Sequence, residues 1–140
     1  MKGKDKNKET TATIIEAFNT VSNKLGHGFL EEVYENAMMV ELEKACMHCT
    51  NQLPIQIYYD QHKIADFYAD ILVGEEAIIK IISEEKINPA NEKELCNAMK
   101  AAEIDTGVLL NFGPEPQHVI REMKQEVDER VCGRTVPGNV

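Results

Sequence analysis

Two short apolar runs, separated by one helix-like stretch, constrain this chain more than any other feature. Residues 77–82 (Ala-Ile-Ile-Lys-Ile-Ile) and 106–112 (Thr-Gly-Val-Leu-Leu-Asn-Phe) are nearly continuous in apolar side chains. That is the pattern of strands buried on both faces. Between them Asn88-Pro89 introduces a helix over about 91–102, with proline suited to a first helical turn. A helix joining two strands of one sheet gives a crossover connection, so the two strands are expected to pair in parallel. Gly113-Pro114 then ends the second run.

Upstream, Ile14, Ile15, Phe18, Val21 and Leu25 recur at helical spacing, with threonines at 10, 11 and 13 to cap the segment. Gly26-His27-Gly28 breaks the pattern. A second helix is expected over about 30–46. Its apolar positions are Val33, Ala37, Val40 and Leu42, with Tyr34, Met38 and Met39 beside them. Glu31, Glu32 and Glu35 fall in its first turns, where the helix dipole favours anions. Residues 53–59 alternate as a strand, 60–63 read as a turn, and 64–73 form the next strand. Gly74-Glu75-Glu76 turns tightly into the 77–82 run, which makes a three-stranded meander. Residues 117–131 suit a helix through Ile120, Met123, Val127 and Val131, whereas 117–123 suit an edge strand; both readings stay open. The order α-α-β-β-β-α-β, plus this last element, predicts an α/β (α+β) domain with a mixed central sheet flanked by helices.

The chain has 140 residues, the size of one domain, and can bury about 68% of the surface its unfolded form exposes. The Lys-rich stretch 1–9 reads as a disordered tail, 10–131 as the domain and 132–140 as a C-terminal tail. No run of about 18 apolar residues suggests a membrane span, and no apolar stretch follows the first lysines to make a signal peptide. A cytoplasmic protein with reduced thiols at Cys46, Cys49, Cys96 and Cys132 is the expectation. Cys46 and Cys49 form a lone CxxC at the end of a helical pattern. Without a second ligand pair they read as helix-end thiols. The histidines are scattered, and neither a dinucleotide fingerprint nor a P-loop occurs.

The net charge is −9 and the pI is near 4.9. An acidic chain repels phosphate at long range, and no basic run lies outside the first residues, so nucleic acid is disfavoured as a partner. An unknown protein partner or self-association is expected instead.

Asp70 stands mid-strand between Ala69 and Ile71. An acid there must be solvated, paired or metal-bound. Position alone makes it an exposed-face residue, but its neighbourhood suggests chemistry. A magnesium-dependent nuclease sets hard oxygen ligands beside a scissile phosphate. One economical layout carries an Asp on one strand and an acid-x-Lys on the next, so that alternation brings all three to one face.

Four stretches, in order, are similar to a known family. They are Gly26-His27-Gly28-Phe29-Leu30-Glu31-Glu32-Val33-Tyr34-Glu35, then Gln52-Leu53-Pro54-Ile55, then Tyr68-Ala69-Asp70-Ile71-Leu72-Val73, then Gly107-Val108-Leu109-Leu110-Asn111-Phe112-Gly113. Together they resemble the GxxExxxR protein family, a small-domain branch of the PD-(D/E)XK nuclease-like superfamily, over roughly 14–113. The resemblance implies a restriction-endonuclease-like core, with Asp70 as the metal-site acid and Glu31 as the helical acid. It also shows departures. Lys80 stands where the family has its second carboxylate, and Ile82 where it has its lysine. Glu94 replaces a usual Gln, Ala98 a usual Tyr, and Glu35 occupies the Arg position.

Asp70, Lys80, Ile82 and Glu94 are therefore expected to be vestigial catalytic positions. A protonated Lys80 cannot ligate a metal and would pair with Asp70 instead. No cofactor is expected. If the site is active, Mg2+ or Mn2+ would be held by Asp70 with Glu31 and Glu84, the last sharing strand parity with Lys80 if that strand runs on. The favoured reading is a degenerate nuclease-like domain acting in binding or assembly. The alternatives are a metal-dependent nuclease with relocated carboxylates and a non-catalytic nucleic-acid-binding module.

Overall fold

The computed structural model describes residues 2–123. Its helices are α1 (Lys2–Leu25), α2 (Glu31–Lys44) and α3 (Pro89–Ala102). Its strands are β1 (Cys49–Tyr59), β2 (His62–Val73), β3 (Ala77–Ile82), β4 (Thr106–Asn111) and β5 (Gln117–Glu122). The sheet runs β1-β2-β3-β4-β5. Among the described strands only β3 and β4 pair in parallel, with α3 as their crossover, as the two apolar runs require.

The two faces of the sheet carry different helices. Ile14, Phe18 and Val21 of α1 and Tyr34, Met38 and Leu42 of α2 pack against Ile71, Ile79, Ile81, Val108 and Leu110. Leu95 and Met99 of α3 pack on Ile78, Ile82 and Leu109 from the other side. Successive β3 residues thus serve opposite layers, which is why β3 is apolar throughout except at Lys80. The fit of α3 is tight at Gly107, where a Cβ would lie 2.9 Å from Met99 Cγ and 3.0 Å from Leu95 Cδ1.

Local chemistry sets the boundaries. Asp60 and Gln61 both have positive φ, 52° and 68°, which gives the two-residue hairpin turn whose twist matches its strands. The expected four-residue turn is therefore shorter, and β2 begins at His62. At α3, Asn88 Oδ1 accepts the Asn91 N–H at 3.1 Å while Asn91 Oδ1 accepts the Asn88 N–H at 2.9 Å. This reciprocal cap satisfies two donors that would otherwise be orphaned at the helix start.

Several sequence expectations change. The buried stripe of α2 is Tyr34, Met38 and Leu42 together with Glu35, while Val33 and Val40 lie exposed. The larger side chains win the core because Tyr34 stacks on Phe112 with ring centroids 4.4 Å apart. The stretch expected to be a disordered tail is helix from Lys2 onward. Once the buried turns beyond Thr10 nucleate α1, each further residue is cheap to add, and lysine is a good helix former. The 117–131 ambiguity resolves to a strand over its first part. Gln117 to Glu122 pair antiparallel with β4, which supplies partners for an otherwise open strand edge. Arg121 also forms an ion pair with Glu92 of α3. The later part of that stretch and the expected tail 132–140 lie outside the described residues. No described helix is long and apolar enough to cross a membrane.

Candidate functional site

The site sits where β2 and β3 part. Their ladder runs Val73↔Ala77, Leu72↔Ile78 and Ile71↔Ile79. Beyond Ile71, β2 stays with β1 back to His62. Asp70 is the first residue of β2 past the end of that ladder, and its carboxylate substitutes for the missing strand partner. Its Oδ2 accepts the Ile81 N–H at 2.7 Å. Burial pushes the Asp70 carboxyl above the usual aspartate range, opposed by the Ile81 N–H, the Lys80 charge and a hydrogen bond from Gln52.

A second carboxylate lies within electrostatic reach of it. Glu35 of α2 is buried, and each of its oxygens takes a side-chain amide of β1. Asn51 Nδ2 donates at 3.0 Å and Gln52 Nε2 at 2.9 Å. Successive side chains of a regular strand point to opposite faces. Here Gln52 has a φ of 51°, between the paired positions Asn51↔Ile71 and Leu53↔Ala69. That irregularity turns both amides toward α2. Gln52 thus bonds Glu35 and also lowers the proton affinity of Asp70. Burial raises the Glu35 carboxyl above its ordinary value. The two amides oppose this, and the negative charges of Asp70 and Glu32 add to it.

These directions predict an unusual pH dependence. A carboxyl raised in the native state binds protons more readily folded than unfolded. It therefore costs stability above its native value, and the cost is relieved as pH falls toward the ordinary carboxylate range near about 4. Urea unfolding from pH 7 downward is expected to show stability gained through that window from Glu35 and Asp70. Glu35→Gln should flatten the gain; a wild-type slope unchanged by that substitution would refute the assignment.

Lys80 does not reach Asp70 as its ion-pair partner. Its Nζ lies 3.3 Å from Glu94 Oε1 of α3, with the lysine 24% and the glutamate 58% exposed. At that exposure the pair contributes about 0.5 kcal/mol at most. Its charge is nonetheless close enough to pull the Asp70 carboxyl down. Ile82, two residues on, is 3% exposed and packed under α3. Phe67, Ile78, Leu95 and Ala98 line a crevice together with Asp70 and Lys80, with a free volume of about 10 Å³. That space admits about one water molecule.

The remaining sequence candidates sit elsewhere. Glu31 is exposed in the first turn of α2, one turn before Glu35. Glu84 does not extend β3, which ends at Ile82. Its backbone N–H and C=O are instead held by the Asn111 side chain, at 2.9 and 3.0 Å, while its own side chain is exposed. Cys46 lies exposed past the end of α2, and burial followed by the Glu43 charge pushes the Cys49 thiol up, away from reactivity. Among the described residues, no three His, Cys, Asp or Glu side chains come together as metal ligands.

Sequence reasoning named Glu35 and Gln52 only within the family-like stretches, and it placed neither of them, nor Asn51, in the candidate site. A signal existed in the acid adjoining the Tyr34-Met38-Leu42 stripe and in the adjacent amides before an apolar strand. What joins them is a backbone irregularity that no local pattern announces.

A family model described as the PD-(D/E)XK nuclease superfamily matches residues 8–123. No curated protein matches the sequence. Among solved structures, the crystal structure of SSO0001 is similar at a TM-score of 0.54 and 15% identity, over 74% of this chain and 54% of that one. The chain thus spans about half the length of that neighbour, and the likeness is one of fold.

Proposed function

The chain belongs to the PD-(D/E)XK nuclease superfamily, and from that premise we propose that it is a non-catalytic member of the GxxExxxR branch, acting by binding a protein partner or a second copy of itself. One observation carries the proposal. On β3, Lys80 supplies an ammonium paired with Glu94 where an acid is needed, and Ile82 supplies a buried apolar side chain where a donor is needed.

The superfamily usually binds divalent metals. The donor chemistry here does not fit one. An oxygen of Asp70 takes a backbone N–H, both oxygens of Glu35 take amides, and the neighbouring strand offers a cation. A magnesium ion takes six oxygen ligands in octahedral array and is held through one or two carboxylates with oxygens free to face it.

Two further features support a protein partner over nucleic acid. The net charge is −9. The β1–β2 ribbon also exposes Tyr58, Tyr59, Ile64 and Tyr68, amphipathic and apolar side chains of the kind enriched in protein interfaces.

Incubation with duplex DNA, single-stranded DNA and RNA in millimolar Mg2+ or Mn2+ is expected to give no cleavage above buffer. Metal-dependent cleavage that disappears in Asp70→Ala would overturn the proposal. An electrophoretic shift at low salt, weakening steeply as salt rises, would favour a nucleic-acid-binding module instead.

A further inference from the structure

We propose that the outer edge of β5 is a self-association surface: two copies of the chain pair there, antiparallel, about a two-fold axis at Ile120, and join their sheets into one. The inference rests on the binding reading above and names its partner and its surface.

The two outer strands of the sheet are β1 and β5. An open edge offers unpaired N–H and C=O groups to any other strand, so chains that stay apart blunt it with proline, lysine or bulges. β1 is blunted in this way. Pro54 has no N–H to offer, Gln52 with its φ of 51° interrupts the run, and the register with β2 shifts between Ile57 and Tyr58. β5 has none of these devices. Gln117–Glu122 contain no proline, glycine or lysine, and they keep an unbroken register against Thr106–Asn111. Among the described residues, no strand lies beyond it.

One bond fixes the direction of its backbone groups. The Met123 N–H donates to Asp105 O at 2.8 Å, toward β4. Along an antiparallel strand these directions alternate. Gln117, Val119 and Arg121 therefore turn their groups to β4, and His118, Ile120 and Glu122 turn theirs outward. With the axis at Ile120, that residue faces its own copy, and His118 faces Glu122 of the second copy. Every outward N–H and C=O of these positions then finds a partner. An axis at Val119 would set Glu122 against Pro116, which has no N–H, and an axis at Arg121 would set Ile120 against Glu122.

The side chains agree with this register. His118, Ile120 and Glu122 share one face and are exposed, Ile120 by 38%. An imidazole opposite a carboxylate is complementary in hydrogen bonding and, once the ring is protonated, in charge; the symmetry supplies the pair twice. Ile120 against its copy covers apolar surface at the axis. His118 is steadied by an edge-to-face contact with Phe18 of α1, with ring centroids 6.2 Å apart. On the other face Arg121 is paired with Glu92 of its own chain, so it brings no unpaired cation to the seam. The net charge of −9 on each copy opposes approach at long range, an effect that about 0.15 M salt screens beyond about 8 Å.

Sedimentation velocity of the full chain in about 0.15 M salt, from about 1 to 100 μM, tests this. Wild type is expected to shift with concentration from 15.8 kDa toward twice that mass. Ile120→Pro removes an outward N–H and no bond to β4, so the sheet stays while the dimer weakens at least about tenfold. If Ile120→Pro does not fold, Ile120→Lys replaces it: only an exposed side chain changes, like charges meet on the axis, and the dimer again weakens about tenfold. His118→Glu sets carboxylates against each other and should weaken the dimer several-fold; adding Glu122→His restores unlike partners and should recover most of the loss. A wild type that stays monomeric throughout overturns the inference. So does a dimer indifferent to both Ile120 variants, or a His118→Glu loss that Glu122→His deepens. These outcomes are separate from the cleavage assay: wild-type cleavage overturns the non-catalytic reading, whereas a monomer overturns only the β5 pairing and leaves binding of another protein in place.

Discussion

Gly113→Ala is expected to destabilise the domain by about 3 kcal/mol, through overpacking and broken buried hydrogen bonds. Gly113 follows β4 at the point where the chain leaving β3 passes close by. A Cβ there would fall inside the contact radius of the Glu84 carbonyl oxygen and 2.9 Å from its carbon. The obstacle is backbone, so no rotamer change relieves it. That backbone is held in place from two directions. Asn111, fully buried, accepts the Glu84 N–H and the Gly113 N–H and donates to the Glu84 carbonyl. Phe112 N–H donates to Ile82 O at 2.9 Å. Moving Glu84 aside breaks this set and leaves buried polar groups unpaired. Denaturant unfolding measures the loss. Glu84→Ala, which alters only an exposed side chain, should stay within about 0.5 kcal/mol of wild type. A Gly113→Ala cost below about 1 kcal/mol would show that the connection yields.

Phe112→Ala is expected to cost about 4–5 kcal/mol, close to the whole stability of a domain of this size. Phe112 is 1% exposed and joins both helices of one layer to the sheet. Phe18 of α1 meets its ring edge-on at 4.8 Å, and Tyr34 of α2 stacks on it at 4.4 Å. Each aromatic pair adds about 0.5–1.5 kcal/mol beyond burial. Tyr34 then carries the effect onward, since its hydroxyl donates to Gly26 O at 2.7 Å and accepts the Phe29 N–H at 3.2 Å. Circular dichroism and denaturant titration should show Phe112→Ala largely unfolded near 37 °C. Phe112→Leu, which retains most of the volume, should lose roughly half as much. A Phe112→Leu loss near zero would mean that the ring contacts contribute nothing beyond bulk.

Some of this was legible from the chain alone. The apolar runs at β3 and β4, with a capped helix between them, dictated the parallel pair, because burial on both faces and a crossover helix are written in short windows. The alternation in β1 and β2 and the turns after them belong to the same class of local signal.

The remainder required contacts between distant residues. Ile81 donates to Asp70 only because β2 leaves β3 one residue earlier. Lys80 selects Glu94, although sequence reasoning paired it with Asp70, because α3 brings a more exposed acid within reach while the Asp70 oxygen is already engaged by a backbone donor. Glu35 rather than Glu31 is buried and feels the charge of Asp70, because the Tyr34–Phe112 stack fixes which side of α2 faces the sheet. β5 is a strand because β4 presents an edge to it. The sequence by itself determined the elements up to β4 and their order, since propensity and periodicity act over a few residues. Only the tertiary structure decided which charges meet at the β2–β3 fork, since that depends on how the strands splay and on which helix face is buried.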